Sequence, residues 1–334
     1  MKEAISEGND AGHEHFSVDC FDFILKSRAH PDEWARLTQM RDQPNFLNAL
    51  KAYNRLMQPF FSDRVILNKI VTEAWRFEML VYSLYLYDRR DYNDARSGLT
   101  VTNLERICSM MKCASPGRVR AILGIMRLGG YLRRIKSNDD SRIVQLEPTS
   151  VFISIVEGWN NRIFQISDSV FPGDGLAQSH CENTRIGWEM RNHGCEAVMA
   201  GWKLLDPFPE VLHFVSSDGG WMLLLHCASE ALRQGGDCRI TPVNVDLKSF
   251  GTKFRVSRSH LRRLLESAYE AGYLKVPPKN GSNIILSKEL LASYLSCMAA
   301  EISFYRGHGL AGRLYLSAKQ PRYSDPTNVR QHAK

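Results

Sequence analysis

Hydrophobic residues recur at helical spacing along two adjacent stretches in the C-terminal half of the chain. In "VDLKSFGTKF" (245–254) the apolar positions lie on one face of a short amphipathic helix: Leu247, Phe250 and Phe254. In the next stretch they are Leu261, Leu264, Leu265 and Ala268. Arginine occupies the opposite face at positions 258, 262 and 263. The pattern therefore predicts two helices, of which the second has one apolar and one basic face.

Residues that favour helix ends and turns set the bounds of these elements. Ser257 is a good N-cap, because its hydroxyl can accept a hydrogen bond from a free N–H group of the first turn. Gly272 ends the helix. The following "YLKVPPKNGSNIILS" (273–287) predicts two short strands around a Pro-Lys-Asn-Gly turn. The predicted order is helix, turn, helix and hairpin.

The same pattern occurs earlier in the chain. Residues 115–134 align without gaps with residues 257–276, at an offset of 142 residues, and Gly130-Tyr131-Leu132 matches Gly272-Tyr273-Leu274. Upstream, "VTNLERICSMMKCA" (101–114) predicts the short helix, and Pro116 stands at the favoured first helical position after Ser115. "YLRRIKSNDDSRIVQLE" (131–147) predicts the hairpin, with its turn at Ser-Asn-Asp-Asp. An offset this long exceeds solenoid periods and indicates domain duplication.

The run "FGTKFRVSRSHLRRLLESAYEAGYLKVPPKNGSNIILS" (250–287) resembles the winged helix-turn-helix modules of MarR-like transcription regulators. With two units in one chain, the protein resembles a covalent version of a regulator dimer. The resemblance implies binding to double-stranded DNA, and control by a small-molecule effector.

These observations predict a mainly α fold with small β-hairpins, arranged as a tandem winged helix-turn-helix with pseudo-two-fold symmetry. The predicted division is an N-terminal segment (1–39), a first unit with flanking helices (40–170), a polar connector (171–192), a second unit (193–318) and a disordered tail (319–334). The connector is predicted from its Pro, Gly, Asp and Asn content.

Positive charge is concentrated in the two predicted units. The net charge is +7, yet residues 100–146 and 240–288 each contain nine Lys/Arg and three Asp/Glu, so each carries +6 and the rest of the chain carries −5. A helix that enters the major groove needs donors on its outward N-terminal half, since guanine presents two acceptors and each phosphate a negative charge. The predicted DNA-binding residues are Arg118, Arg120, Arg133, Arg134, Lys136, Arg142, Arg255, Arg258, Ser259, Arg262, Arg263, Lys275 and Lys279.

Aromatic residues on the helical stretches are candidates for an effector pocket, with an ordinary hydrophobic core as the alternative interpretation. They are Trp75, Phe77, Tyr82, Trp202 and Trp221. His213 and His226 lie on apolar helical stretches and are predicted to be core histidines.

Several function classes receive no support from the sequence. "RLGGYLRR" lacks the Lys-Ser/Thr ending of a phosphate-binding loop, and neither G-x-S-x-G nor H-E-x-x-H occurs, so we predict no catalytic residues and no cofactor. His180, Cys181, His193 and Cys195 are spaced unlike zinc ligands, and no metal is predicted. The eight cysteines include no C-x-x-C and are expected to be reduced thiols.

No apolar run approaches the roughly 20 residues needed to cross a bilayer, and the first residues lack the apolar core of a signal peptide. A cytoplasmic monomer or homodimer without membrane contact is expected. Two other functions stay open: a replication initiator with two winged helices, and a non-enzymatic scaffold in a chromosome-associated complex.

Overall fold

The computed structural model describes residues 21–62, 73–136, 143–234, 241–279 and 283–319. Helices dominate these ranges. The N-terminal half contains α1 (Asp22–Arg28), α2 (Pro31–Arg41), α3 (Phe46–Ser62), α4 (Ala74–Asp88), α5 (Val101–Met110), α6 (Pro116–Leu128), β1 (Leu132–Lys136), β2 (Val144–Pro148) and α7 (Ser150–Val170). The C-terminal half contains α8 (Leu176–Glu182), α9 (Arg185–Met199), α10 (Pro209–Val215), α11 (Gly220–Gln234), α12 (Leu247–Phe254), α13 (Arg258–Glu270) and α14 (Lys288–Lys319).

The hairpin of β1 and β2 is antiparallel, with Leu132 opposite Pro148 and Lys136 opposite Val144. Its predicted turn, 137–140, lies outside the described residues. The second predicted hairpin forms no continuous strands in the described part of 273–287: its arms meet at an isolated antiparallel bridge between Leu274 and Leu286, flanked by backbone hydrogen bonds from Lys275 to Ile285 and from Ser287 to Tyr273. The two prolines at 277 and 278 offer a physical reason, because proline has no N–H to donate to a ladder.

The long helix α14 lies at the centre of the packing. It spans 32 residues and packs against α2, α7, α9 and α10. Leu290, Tyr294 and Met298 on its first half are fully buried. One hydrophobic core includes Leu123 of the first predicted unit and Leu291 of the second, so the two units share a core. Burial of apolar area is the main favourable contribution to such a fold.

The segment 171–192 is not the polar connector that its composition predicts. It contains a 3-10 turn at Pro172–Asp174, all of α8 and the first half of α9, and Leu176 is fully buried. Arg185 donates to Asp88 on α4 at 2.5 Å and to Glu189 at 2.9 Å. Residues 181–185 are exposed, but the segment is joined to the core by Leu176 and by the Arg185 ion pairs, so its polar composition does not make it a linker.

The N-terminal segment predicted for residues 1–39 packs, in its described part, against the rest of the protein. Leu25 on α1 and Leu37 on α2 are buried in the core, and Arg28 forms an ion pair with Glu210 of α10 at 2.9 Å. Helix α14 continues through Lys319, and residues 320–334 lie outside the described residues. Residues 22–39 thus belong to the folded core.

Candidate nucleic-acid interface

Helix α13 is held against the core by one face and capped at its start. Ser257 is the N-cap, and its Oγ accepts a hydrogen bond from the backbone N of His260 at 3.2 Å. The apolar residues that periodicity placed on one face are buried: Leu261, Leu264, Leu265 and Ala268. The prediction of an amphipathic helix at this position is confirmed.

The opposite face of α13 is basic over its first two turns. Arg258, Ser259, Arg262 and Arg263 are all exposed. Arg258 and Arg263 form no ion pair with another residue in the described ranges. Arg262 Nε lies 3.4 Å from Oε1 of Glu266, and both side chains are about half exposed, so this pair is weak. The guanidinium groups at this end are available to an external acceptor.

Two carboxylates on the exposed face were passed over in the sequence interpretation. Glu266 and Glu270 are exposed on the second half of α13. Glu266 follows Arg263 by three residues and Arg262 by four, and residues at these spacings are neighbours on a helix surface. The sequence therefore contained the signal that Glu266 lies beside these arginines. The positive surface is therefore confined to the N-terminal half of the helix, the half that enters a groove in helix-turn-helix proteins.

Helix α12 adds basic residues that the sequence interpretation missed. Lys248 and Lys253 are exposed, and Lys253 Nζ lies 5.3 Å from the ring centre of Phe254. Asp246 caps this helix by accepting from the backbone N of Lys248 at 2.9 Å. Arg255, which was predicted, ends the helix in the left-handed conformation with φ 59° and is exposed. The second helix pair thus exposes cations on both of its helices.

The segment after α13 carries the remaining predicted residues of the second unit. Lys275 and Lys279 are exposed, and the backbone N of Lys275 donates to the carbonyl of Ile285 at 2.9 Å. This bond holds Lys275 beside the isolated bridge described above.

In the first unit, the corresponding arginines interact with the protein itself. Arg120 Nε donates to Oε1 of Glu105 on α5 at 2.7 Å. The guanidinium carbon of Arg118 lies 5.2 Å from the ring centre of Trp75, within the range of a cation–π contact. The cationic side chains of helix α6 predicted to face DNA are therefore engaged internally.

The hairpin of the first unit follows the same trend. Arg133 forms an ion pair with Glu147, its neighbour across the hairpin. Arg134 is exposed, Lys136 ends β1, and Arg142 lies outside the described residues. Arg134 forms no ion pair with another described residue.

The two helix pairs share local geometry at matched positions. Gly130 and Gly272 have φ of 73° and 80°, in the left-handed region that favours glycine. In each unit the tyrosine that follows donates its backbone N–H five residues back, Tyr131 to Met126 and Tyr273 to Ala268, both at 2.8 Å. The predicted helix ends after α6 and α13 therefore have the same conformation.

The five aromatic residues predicted to line an effector pocket do not meet in one place. Trp75 lies beside Arg118, whereas Phe77 contacts Trp159 at 5.9 Å and Trp221 contacts Tyr294 at 6.3 Å between ring centres. Tyr82 is buried. A cavity of about 410 Å³ has Trp202 in its wall and none of the other four. Helical spacing alone could not decide which helices these rings would face.

The histidines and cysteines of 180–195 likewise have separate neighbours. Their contacts are His180 with Phe164, Cys181 with Asn161, His193 with Tyr315, and Cys195 with the carbonyl of Val81. Across the described ranges, no group of three or more His, Cys, Asp or Glu side chains is arranged to hold a metal ion.

The two histidines predicted to belong to the core are both partly buried. His213 Nε2 lies 3.0 Å from Oγ of Ser267 on α13, and the ring of His226 lies 5.9 Å from that of Phe250. Burial lowers the pKa of both histidines. His213 thereby connects α10 to the helix with the basic face.

Within the described ranges, no helix combines the length and the apolar character that a membrane span requires. Comparison with known proteins finds no matching family model, no matching curated protein and no matching solved structure.

Proposed function

We propose that this protein is a sequence-specific, double-stranded DNA-binding transcription regulator with two winged helix-turn-helix units in one chain. The observation that carries the proposal is the N-terminal half of α13, where Arg258, Arg262 and Arg263 are exposed on a capped helix. Arginine can donate two hydrogen bonds to O6 and N7 of guanine, and it also binds phosphate. A helix with three such donors on its first two turns suits the major groove.

In this proposal the second unit makes most of the contacts with DNA bases. Among the described residues Arg258 and Arg263 have no ion pair and Arg262 has a weak one, whereas Arg118 and Arg120 of α6 are engaged by Trp75 and Glu105. Lys275 and Lys279 suit contacts with flanking phosphates. Homodimeric regulators present identical helices and prefer palindromes, but these two helices differ. The preferred site is therefore asymmetric, with guanines under the second unit.

Selection of bound sequences from a random pool of DNA duplexes tests this proposal. We expect enrichment of one asymmetric site, in which the conserved guanines lose their preference when Arg262 and Arg263 are replaced by alanine. With six or more phosphate contacts, affinity should fall by on the order of a thousandfold between about 50 and 200 mM salt. Failure to enrich any sequence, together with affinity that does not change with salt, would contradict DNA binding.

A second candidate function is a scaffold in a chromosome-associated complex. It is favoured by the first unit, where Arg118 and Arg120 have internal partners and large apolar side chains are exposed, among them Met110, Leu128 and Val151. Exposed apolar side chains mark a surface that contacts another protein where they form one contiguous patch. Duplex binding independent of salt, and of the α13 arginines, would support this function over the first.

A further inference from the structure

A cavity lies between α2, the loop that follows α9, and the middle of α14. Its volume is about 410 Å³, which is within the range of cavities that hold small molecules. Leu37, Phe208 and Ala300 form apolar parts of its wall. The predicted DNA-binding residues do not line it, so it is a separate feature of the molecule.

Two aromatic rings that contact each other line the cavity. Trp202 and Phe304 are stacked, with ring centres 4.2 Å apart and planes within 8° of parallel. The ring of His308 lies edge-on to that of Phe304, with 4.3 Å between the ring centres. Burial lowers the pKa of His308 to about 4, with help from the charges of His193 and Arg36. His308 is thus neutral near pH 7, and it offers one donor and one acceptor without adding charge.

Two side chains of opposite charge line the cavity from one helix. Glu33 and Arg36 lie three residues apart on α2, the spacing of neighbours on a helix surface. Despite this spacing they form no ion pair with each other, and neither pairs with another residue in the described ranges. Lys203 also lines the cavity, but it has Asp206 at 3.9 Å.

We propose that this cavity binds a small amphipathic zwitterion, of the class of α-amino acids with a large apolar side chain. Arg36 holds the carboxylate through a charge-assisted hydrogen bond, and Glu33 holds the ammonium group. The apolar side chain packs on the stacked rings of Trp202 and Phe304. This assignment does not depend on the proposed DNA binding.

Isothermal titration calorimetry with the full chain tests the assignment, using L-phenylalanine, L-leucine and L-tryptophan as probes. At least one is expected to bind with saturation below about 5 mM. For the amino acid that binds, its N-acetyl derivative lacks the ammonium group and its amide lacks the carboxylate. Each should bind at least about tenfold more weakly, since a hydrogen bond to a charged group is lost.

Three variants connect the binding to the cavity. Arg36→Gln should weaken binding of the amino acid about tenfold or more and leave binding of the amide unchanged. Glu33→Gln should also weaken binding of the amino acid about tenfold or more, and it should leave binding of the N-acetyl derivative unchanged. Ala300→Leu, which fills the cavity, should abolish binding of all probes. Arg127→Gln changes an exposed arginine of α6 and serves as the control with unchanged binding.

Three results would overturn the proposal. One is that no probe binds with saturation up to about 5 mM. Another is that the derivatives bind as tightly as the parent amino acid. The third is that Arg36→Gln binds the amino acid as tightly as the wild type does. Arg36 is exposed, so this variant is expected to fold even if Ala300→Leu does not.

Discussion

Arg120 donates a hydrogen bond from Nε to Oε1 of Glu105, across 2.7 Å between neighbouring helices. The second unit has a different residue at the position of this carboxylate. At the 142-residue offset that relates the two units, Arg120 matches Arg262 and Glu105 matches Leu247, which is apolar and buried. The first helix pair therefore pairs its arginine with a carboxylate of the neighbouring helix, whereas the second has no carboxylate at the matched position.

This charge difference predicts opposite effects of two substitutions on duplex affinity. Glu105→Gln should release Arg120 and raise affinity, whereas Lys248→Glu should replace an exposed cation of α12 with a carboxylate and lower it. An exposed ion pair contributes roughly 0.2–1 kcal/mol, so Glu105→Gln should change affinity by about fivefold or less. Lys248→Glu alters the charge by two and should have the larger effect. Fluorescence anisotropy of a labelled duplex measures both.

The control for this charge exchange is Glu182→Gln, which removes an exposed carboxylate of α8, away from both helix pairs. It changes the net charge as much as Glu105→Gln does. If the control raises affinity equally, overall charge rather than the Arg120–Glu105 pair is responsible.

Alanine substitution of the α13 arginines should weaken and broaden DNA recognition. Arg262→Ala or Arg263→Ala should each cost about 1–3 kcal/mol of binding free energy if the guanidinium contacts a base, and relax sequence preference at that position. Lys279→Ala should weaken all sequences alike and reduce the salt slope by about 1, as expected for a phosphate contact. Competition binding with matched and scrambled duplexes distinguishes the two patterns. Unchanged affinity in all three variants would remove α13 as a reading helix.

Two matched serines test how helix capping supports the reading helix. Ser257 Oγ accepts from the backbone of α13, whereas Ser115 occupies the N-cap of α6 without a side-chain capping bond. We expect Ser257→Ala to lower the free energy of unfolding by about 1 kcal/mol. Ser115→Ala should have a smaller effect, because Pro116 already favours the helical start. Urea unfolding of both variants measures the difference, and equal losses would contradict it.

A buried carboxyl group should make stability depend on pH. Tyr53 Oη donates to Oε1 of Glu301 at 3.2 Å, and burial raises the pKa of Glu301 to about 7 against the effect of this hydrogen bond. The folded protein then binds more protons than the unfolded chain between the ordinary glutamate pKa and about 7. The free energy of unfolding should decrease as pH rises through this window and level off above it.

The variant Glu301→Gln should lose this pH dependence. Between about pH 5 and pH 8 it should gain on the order of 2 kcal/mol relative to the wild type. Urea unfolding at several pH values measures the free energy of each protein. Parallel profiles for the two proteins would show that Glu301 is ionised in the folded state.

Local features of the sequence were sufficient to predict the two helix pairs. Ser257, Gly272 and the apolar spacing of α13 act within a few residues of one another, and the structure has the helix between those residues. The same holds for Pro116 and Gly130 at the ends of α6. Caps, turns and amphipathic periodicity are short-range effects, so a sequence contains them without reference to the rest of the fold.

Tertiary packing decided what became of the polar side chains. Arg185 finds Asp88 at a separation of 97 residues, which turns a predicted connector into part of the folded core. Arg120 meets Glu105 only because α5 and α6 pack together, and the cavity beside Arg36 exists only because α2 lies against α14. A charged residue looks the same in sequence whether it faces solvent or a distant partner. The sequence alone therefore determined the helices and their basic faces, and only the packing of distant segments determined which charges remain available to a ligand.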